Sequence, residues 1–204
     1  AGVAYGRRTA EGPRPYDTRR QIEHGSLAGQ GLELAWLADR ADAFFMQVQG
    51  SGRVRLGDGR VLRLTYAGKT GRPYTSIGAV LVARGAVSRE DVSMQAIRTW
   101  MAQHPEDAQA LMWENESFVF FQPLAAVDTR LGAIGAGKVQ LAPQRSLAVD
   151  HSSWAYGTPF WLATTRPQAS GQSSTPWARL MVAQDTGSAI RGMSRGDVYW
   201  GWGE

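Results

Sequence analysis

The sequence predicts a mostly β protein with short helices, divided into two domains. The 204 residues include 24 glycines and 9 prolines, a composition typical of short strands joined by tight turns. Few stretches have the sustained apolar periodicity of a helix bundle. The length exceeds the roughly 100 to 150 residues of an ordinary domain. We therefore place a boundary near residue 127, between domains of residues 1–127 and 128–204.

Residues 1–127 are predicted to form the smaller β-domain, with flanking helices, although residues 1–25 could belong to the larger domain. Thr18 and Gln21 have the spacing of a capping box, which predicts a short helix over residues 19–24 that Gly25 ends.

A β-hairpin is predicted next. Apolar and polar side chains alternate over residues 44–56, which indicates a strand that the glycines at 50 and 52 interrupt. A Gly-Asp-Gly turn at 57–59 leads into a return strand over residues 61–66. Further along, the pattern predicts helical segments over residues 76–84, 94–103 and 107–113, and a buried strand over 118–121.

Residues 128–204 are predicted to form a small barrel. Short apolar runs recur between Gly, Ser and Pro turns, which is typical of barrel strands. The sequence stops at 200–204 without an obvious terminal element, and we expect this barrel to be truncated at its C-terminal end. The runs cover residues 139–141, 147–149, 160–163, 180–183 and 198–200.

Charge and residue usage exclude several classes of partner. Lys and Arg number 22 against 18 Asp and Glu, and the net charge of +4 favours anionic partners. The basic residues are scattered along the chain, so nucleic acid is not expected. There is no cysteine, and His24, His104 and His151 lie far apart. Neither a metal nor another cofactor is therefore expected.

Two aspartates near the C-terminus are the candidate catalytic residues. Asp185 ends one apolar run and Asp197 opens the next, 12 residues later. A turn that brings them together would raise the pKa of one carboxyl group, and Tyr199, Trp200 and Trp202 would supply desolvation and a platform for sugar rings. Spacing alone leaves open the alternative that each aspartate only satisfies turn amides.

Other features have simpler interpretations. Asp150 enters a loop after an apolar run, where an aspartate usually anchors the turn. The Gly-Lys-Thr sequence at 68–70 is no phosphate loop, because position 63 is Arg rather than Gly. Glycines at 132, 135 and 137 do not have dinucleotide-binding spacing. Eight tryptophans fit stacking against carbohydrate.

Six segments, taken in order, carry a family resemblance. They are FFMQVQGSG at 44–52, YAGK at 66–69, PYTSIG at 73–78, SMQAI at 93–97, FVFF at 118–121 and QDTGSAIRG at 184–192. Over nearly the whole chain, the sequence resembles the membrane-bound lytic transglycosylase A family. The resemblance implies a double-psi β-barrel domain with three characteristic aspartates, and a second, smaller β-barrel-like domain on the other side of a glycan groove.

The resemblance also implies the roles of the site residues. Asp197 matches the family's catalytic acid, with Asp185 as a supporting carboxylate and Asp150 as a structural or supporting residue. Family enzymes cut the β-1,4 bond between N-acetylmuramic acid and N-acetylglucosamine and leave a 1,6-anhydro ring. One carboxyl group can serve as both acid and base in that reaction. The candidate substrate-binding residues are Gln49, Tyr66, Lys69, Tyr74 and Ser76.

The implied partner is the glycan strand of peptidoglycan. We expect a monomer in the periplasm, associated with the outer membrane through a lipid anchor in the full-length protein; this chain carries no secretory leader. Two alternatives remain open. One is a glycoside hydrolase that uses Asp185 as an indispensable second carboxylate and releases reducing ends. The other is an inactive module that only binds peptidoglycan.

Overall fold

The computed structural model describes residues 6–124, 128, 130–167 and 174–201. The chain divides into two compact units, Ala1–Pro123 and Leu124–Glu204, each with its own buried apolar cluster. The predicted class, mostly β with short helices, is confirmed in outline. In the described part of the chain, no helix has the length and apolar character required to cross a membrane.

The first unit begins with a hairpin of β1 (Gly6–Thr9) and β2 (Gly12–Pro15). Helix α1 (Arg19–Gln21) follows and continues as a π-helical turn, Ile22–Ser26. The predicted capping box is confirmed: Gln21 N donates to Thr18 Oγ1 at 3.3 Å, and Thr18 N donates to Gln21 Oε1 at 2.8 Å.

Helix α2 (Arg40–Gln49) overturns the prediction of a strand that begins at residue 44. Asp39 caps its first turn by accepting from Ala41 N at 2.8 Å, and Gly50 ends it with a left-handed φ of 76°. Phe44 and Phe45 are both buried, which a strand with one buried face would not allow. The two caps, rather than the ambiguous alternation between them, determine the structure of this segment.

An antiparallel sheet follows, in the order β3-β4-β5. It consists of β3 (Ser51–Arg55), β4 (Val61–Lys69) and β5 (Val119–Pro123). The predicted hairpin turn is confirmed, with Gly59 at a φ of 83°. Strand β4 runs beyond the predicted end at residue 66, because a bulge between Tyr66 and Gly68 lets it keep pairing with β5. Strand β5 is only half-buried, not buried as predicted.

The three predicted helical segments are confirmed as α3 (Ile77–Ala83), α4 (Met94–Gln103) and α5 (Pro105–Trp113). Ser76 and Ser93 cap α3 and α4 through their side-chain oxygens. Together with α2, these helices enclose the buried cluster of the first unit. The first unit therefore contains more helix than a small β-domain would.

The second unit contains one four-stranded sheet in the order β7-β8-β6-β9. Its strands are β6 (Ser146–Val149), β7 (Pro159–Pro167), β8 (Ser174–Asp185) and β9 (Gly196–Val198). Three of the five predicted runs lie within strands, and the last run only begins at the end of β9. The run at 139–141 is no strand, but it forms a bridge between Ile134 and Gln140.

Candidate active site

Strand β6 brings two of the candidate aspartates onto one face of the sheet. Ala148 pairs with Asp185 of β8 on one side and with Asp197 of β9 on the other. Residues in register project to the same face, and adjacent strands lie about 4.8 Å apart, so the two aspartate Cα atoms are about 10 Å apart. Leu147 and Val149 are buried on the opposite face.

A bulge produces this arrangement. Leu147 pairs with Ala183, yet Ala148 pairs with Asp185, so Gln184 is passed over in the register. Without the extra residue, side-chain alternation would direct Asp185 to the buried face with Ala183. Ser146 Oγ donates to the side-chain oxygen of Gln184, which holds the bulged residue against β6.

Asp185 lies in a half-buried position. Burial raises the pKa of its carboxyl group, while hydrogen bonds from the backbone amides of Ala136 and Thr186 oppose that rise. Ala136 N donates to Asp185 Oδ1 at 3.0 Å. The sequence-based expectation attributed a raised pKa to a neighbouring carboxylate. In the structure burial is the cause, because Asp197 is two strands away.

Asp197 is in a different environment. Its side chain is 50% exposed and forms an ion pair with Arg195, whose Nε lies 3.2 Å from Asp197 Oδ1. The expectation that aromatic residues desolvate this carboxyl group is therefore wrong in the absence of a bound glycan. Trp200 is half-exposed and its ring centroid lies 5.1 Å from that of buried Trp177. Trp202, the third aromatic residue of the prediction, lies outside the described residues.

Asp150 is buried at the end of β6. Its Oδ1 accepts from Ser152 N at 3.0 Å and Ser152 Oγ at 2.7 Å, and its Oδ2 accepts from Gly192 N at 2.8 Å. Arg191 Nη1 lies 3.7 Å from Oδ1. Hydrogen bonds from Ser152 and Gly192 lower the pKa of Asp150 to about 2. The carboxylate thus joins the loop after β6 to the loop before β9.

Tyr156 is a neighbour of the site that sequence reasoning missed. Burial first, and the charge of Asp185 second, raise the pKa of its phenol, and a side-chain hydrogen bond to Thr186 opposes the rise. Its position directly before Gly157, whose N donates to Ala183 O at 2.7 Å, places it beside the end of β8. In the sequence, the signal that could have identified Tyr156 is an aromatic residue directly before a glycine turn.

Three of the five candidate substrate-binding residues line one pocket within the first unit. Gln49, Tyr74 and Ser76 surround a cavity of about 200 Å³. Burial raises the pKa of the Tyr74 phenol, while Ser76 Oγ also accepts from Ala79 N at 3.4 Å as a helix cap. The rest of the lining is apolar: Phe44, Phe45, Val48, Ile77, Gly78, Met94 and Ile97.

Tyr66 and Lys69 do not belong to that pocket lining. Both lie on β4, where Tyr66 pairs with Phe121 and Lys69 with Val119 across to β5. The structure therefore separates the five predicted residues into a pocket group and a sheet group.

Asn115 was also missed from the sequence. It is buried, and its Oδ1 accepts from Thr75 N at 3.3 Å and from Ser117 N at 3.2 Å. It thereby fixes the backbone between two pocket residues, Tyr74 and Ser76. Nothing in the sequence around Asn115 pointed to this function, because its partner lies 40 residues away.

Comparisons with known proteins show which family has these features. The model of the MltA specific insert domain matches residues 2–122, and the model of the 3D domain matches residues 145–204. The chain belongs to the MltA family. The membrane-bound lytic murein transglycosylase A of Vibrio cholerae is 41% identical over 189 residues, which cover 91% of this chain and 50% of the relative. The chain thus spans about half the length of the curated relatives it matches.

Solved structures agree with this family. A membrane-bound lytic murein transglycosylase from Agrobacterium tumefaciens is 40% identical, with a TM-score of 0.86, and the match covers 96% of this chain and 53% of that one. Escherichia coli MltA with bound chitohexaose is 36% identical, with a TM-score of 0.83, over 97% of this chain and 58% of that one. The three aspartates all lie in the part matched by the 3D domain, and the pocket lies in the part matched by the MltA insert domain.

Proposed function

We propose that this chain carries the catalytic centre of a lytic transglycosylase that cleaves peptidoglycan between N-acetylmuramic acid and N-acetylglucosamine. The observation that carries the proposal is the register of β6, which sets Asp185 and Asp197 on one face, on either side of Ala148. The names of the MltA-family relatives support the same reaction class.

In the proposed reaction, Asp197 is the single acid and base. Its carboxyl group gives a proton to the glycosidic oxygen as the bond from that oxygen to C1 breaks. The C6 hydroxyl of the same muramoyl residue then attacks C1, and its proton passes to the Asp197 carboxylate. The product is a 1,6-anhydro ring, and no water is consumed. Because nucleophile and electrophile belong to one sugar, proximity lowers the barrier.

A bound glycan would change the surroundings of Asp197. This carboxyl group is half-exposed and paired with Arg195. Sugar rings that cover the exposed face would exclude water from it. Asp185 is already partly buried. In its ionised form, its carboxylate would stabilise the positive charge that develops at C1.

We further propose a division of labour between the units. The second unit would form a double-psi β-barrel and carry the aspartates, with Asp150 as the structural tie between its loops. The first unit would contribute glycan contacts from the pocket residues Gln49, Tyr74 and Ser76, and from Tyr66 and Lys69 on β4. The pocket suits this role because a few polar groups line it among apolar side chains.

A two-carboxylate glycoside hydrolase is the second candidate, and one observation favours it. Inverting hydrolases hold their two carboxyl groups about 6.5 to 9.5 Å apart, with room for a water molecule. Two aspartates separated by one strand, with Cα atoms about 10 Å apart, would leave room for such a water molecule. In such an enzyme Asp185, whose pKa burial raises, would be the acid, and Asp197 would activate the water.

Product mass distinguishes the two reactions. Purified sacculi are digested with the wild-type protein and with the Asp197→Asn variant, and the soluble muropeptides are analysed by mass spectrometry. We expect 1,6-anhydromuropeptides from the wild type and a loss of about 100-fold or more in Asp197→Asn. Products that are one water heavier, with free reducing ends, would identify the hydrolase. Binding to sacculi without release of any fragment would identify a binding module.

We also propose peptidoglycan glycan strands as the partner, with the monomeric protein acting in the periplasm. The relatives are named membrane-bound, which supports association of the full-length protein with the outer membrane. Sedimentation of the purified protein tests the monomer, and fractionation of cell envelopes tests the location.

A further inference from the structure

The turn at residues 135–138 has no part in the reaction described above, and its glycines fit no nucleotide-binding pattern. It forms the tip of a narrow hairpin in the second unit. Gly135 N donates to Val139 O at 2.9 Å, and Lys138 N donates back to Gly135 O at 2.9 Å, which closes the turn. Hydrogen bonds within the turn therefore define its geometry, independently of its contacts with other segments.

This turn contacts the end of β8 through two consecutive amides. Ala136 N donates to Asp185 Oδ1 at 3.0 Å, and Gly137 N donates to Gln184 O at 2.9 Å. The second bond anchors the turn to the backbone of the bulged residue. The first bond reaches the carboxyl group of the candidate site.

The glycines of the turn are explained by this contact. A Cβ atom at position 135 would lie 2.5 Å from Gln184 O, and one at position 137 would lie 3.0 Å from the same oxygen. Neither glycine is among the residues with positive φ. Glycine is therefore needed here because the turn approaches β8 closely, not because of an unusual backbone conformation.

We propose that the 135–138 turn is a positioning element, in which the backbone N–H of Ala136 holds the Asp185 carboxyl group on the face that it shares with Asp197. The contact between Ala136 and Asp185 does not depend on the proposed function. Only the catalytic role of Asp185 rests on that function. Ala136 is a positioning residue in this account, since it acts on the site only through Asp185.

The hydrogen bond has an electrostatic consequence. An N–H donor stabilises a carboxylate more than a neutral carboxyl group, whereas burial favours the neutral form. The pKa of Asp185 is raised by burial and held back by the amides of Ala136 and Thr186. The phenol of Tyr156 is the titratable side chain coupled to Asp185. Loss of the Ala136 donor must therefore raise the pKa of Asp185 further.

The substitution Ala136→Pro tests this by removing one donor. Proline has no N–H and suits the second position of a four-residue turn. Ala136→Ser is the matched control, because it keeps the N–H. In protein labelled with ¹³C at the aspartate carboxyl carbon, NMR titration should give a higher pKa for Asp185 in Ala136→Pro and an unchanged one in Ala136→Ser. An unchanged pKa in the proline variant would overturn the inference.

Gly137→Ala provides a second route if the proline variant does not fold. The added methyl group would press on Gln184 O and push the turn from β8, so the pKa of Asp185 should again rise. Gly57→Ala in the first unit is its control, since a Cβ atom there meets nothing within 4 Å. An Asp185 pKa that stays at the wild-type value in Gly137→Ala would contradict the inference as well.

Activity then tests the function of Asp185 separately. If the carboxylate of Asp185 takes part in cleavage, the limb of the pH–activity profile that it governs should move to higher pH in Ala136→Pro and not in Ala136→Ser. If Ala136→Pro raises the pKa of Asp185 but leaves the pH–activity profile unchanged, the positioning contact is supported. The same result would overturn the catalytic role of Asp185 in the proposed function.

Discussion

Asp150 illustrates at the scale of a residue how hydrogen-bond donors, the Ser152 hydroxyl first and the backbone amides of Gly192 and Ser152 next, set the charge of a carboxyl group. Three donors from Ser152 and Gly192 surround it, although it is buried among residues of the sheet. Because the donors stabilise the charged form more than burial opposes it, the pKa of Asp150 falls to about 2. Asp150 is therefore ionised in the folded protein, where it stabilises the structure and does not supply protons.

This depressed pKa predicts a loss of stability in acid. An unfolded aspartate titrates near 3.9, so the stabilisation from Asp150 is fully present above that pH and is lost as the pH falls through about 2. We expect the denaturant midpoint of the second unit to fall over this range in the wild type, and to fall less steeply in Asp150→Asn. Urea titrations with hydrogen exchange and mass spectrometry of peptides from β6 and β8 would measure it.

The control for this prediction is Asp107→Asn, which alters an exposed carboxylate on α5 of the first unit. It should leave the acid dependence of the second unit as in the wild type. Equal slopes for the wild type and Asp150→Asn between pH 4 and pH 2 would contradict the assignment.

The positions of the candidate aspartates could be predicted from the sequence, but their environments could not. Asp185 and Asp197 stand at the ends of apolar runs, and that much is visible in the residue order. Which carboxyl group is shielded depends on the register of β6 with its two neighbours and on the bulge at Gln184. Both are contacts between distant segments, so local patterns contain no information about them.

At the scale of elements, the link between β4 and α3 depends on a buried side chain from another segment. Asn115 Oδ1 accepts from the amides of Thr75 and Ser117. Arg19 Nε donates to the carbonyl oxygen of Asn115 at 3.0 Å. The loop that carries Tyr74 is therefore held at its base by groups that do not line the pocket.

This arrangement predicts different outcomes for two variants of Asn115. Asn115→Asp keeps an acceptor for both amides, whereas Asn115→Leu leaves two amides unsatisfied, at about 1 to 3 kcal/mol each. We expect Asn115→Leu to lower the free energy of unfolding by about 2 to 6 kcal/mol. If the pocket binds glycan as proposed, this variant should also weaken the affinity for chitohexaose, used as a probe, about tenfold, a change of about 1.4 kcal/mol. Calorimetric titration with chitohexaose measures the affinity.

Asn115→Asp should bind chitohexaose like the wild type, because its side-chain oxygen still accepts from the amides of Thr75 and Ser117. If Asn115→Leu loses stability yet binds the glycan with unchanged affinity, the loop is not part of the binding site. If both variants bind equally weakly, the amide group of Asn115, rather than its acceptor oxygen, is required.

The same scale shows why one element was mispredicted. Residues 44–49 satisfy both an alternating and a helical pattern, since a short apolar run fits either period. The decision comes from Asp39 and Gly50, which cap the two ends. The helices at 76–84 and 94–103 were predicted correctly because their apolar residues recur at helical spacing, and the structure adds that Ser76 and Ser93 cap them.

At the scale of the whole molecule, the residues that the structure describes form two separate apolar clusters. One surrounds Leu111 in the first unit, and the other surrounds Met181 in the second. Neither side chain has measurable exposure. Each cluster is composed of residues from its own unit, so each unit has the kind of core from which a domain derives its stability.

The separate clusters predict that a cavity in one unit loosens that unit first. Leu111→Ala should cost about 3 kcal/mol and raise hydrogen exchange at the amides of α2, α4 and α5. The amides of β6 and β8 should keep their wild-type protection. Hydrogen exchange followed by mass spectrometry measures both sets in one sample.

Met181→Ala is the reciprocal variant, with a cost of about 2 to 5 kcal/mol that should appear in β6, β7 and β8. If both substitutions accelerate exchange equally throughout the chain, the two clusters unfold as one cooperative unit and the prediction is wrong.

The extra residue at Gln184 has a consequence for anyone who transfers this site to another scaffold. One inserted position moves the following carboxyl group from the interior to the open side of the sheet. If the strand were grafted without this extra residue, Asp185 would point to the buried face, however similar the two sequences were. An alignment with a strand that lacks this bulge needs a gap here, or it will equate Asp185 with a side chain of the buried face.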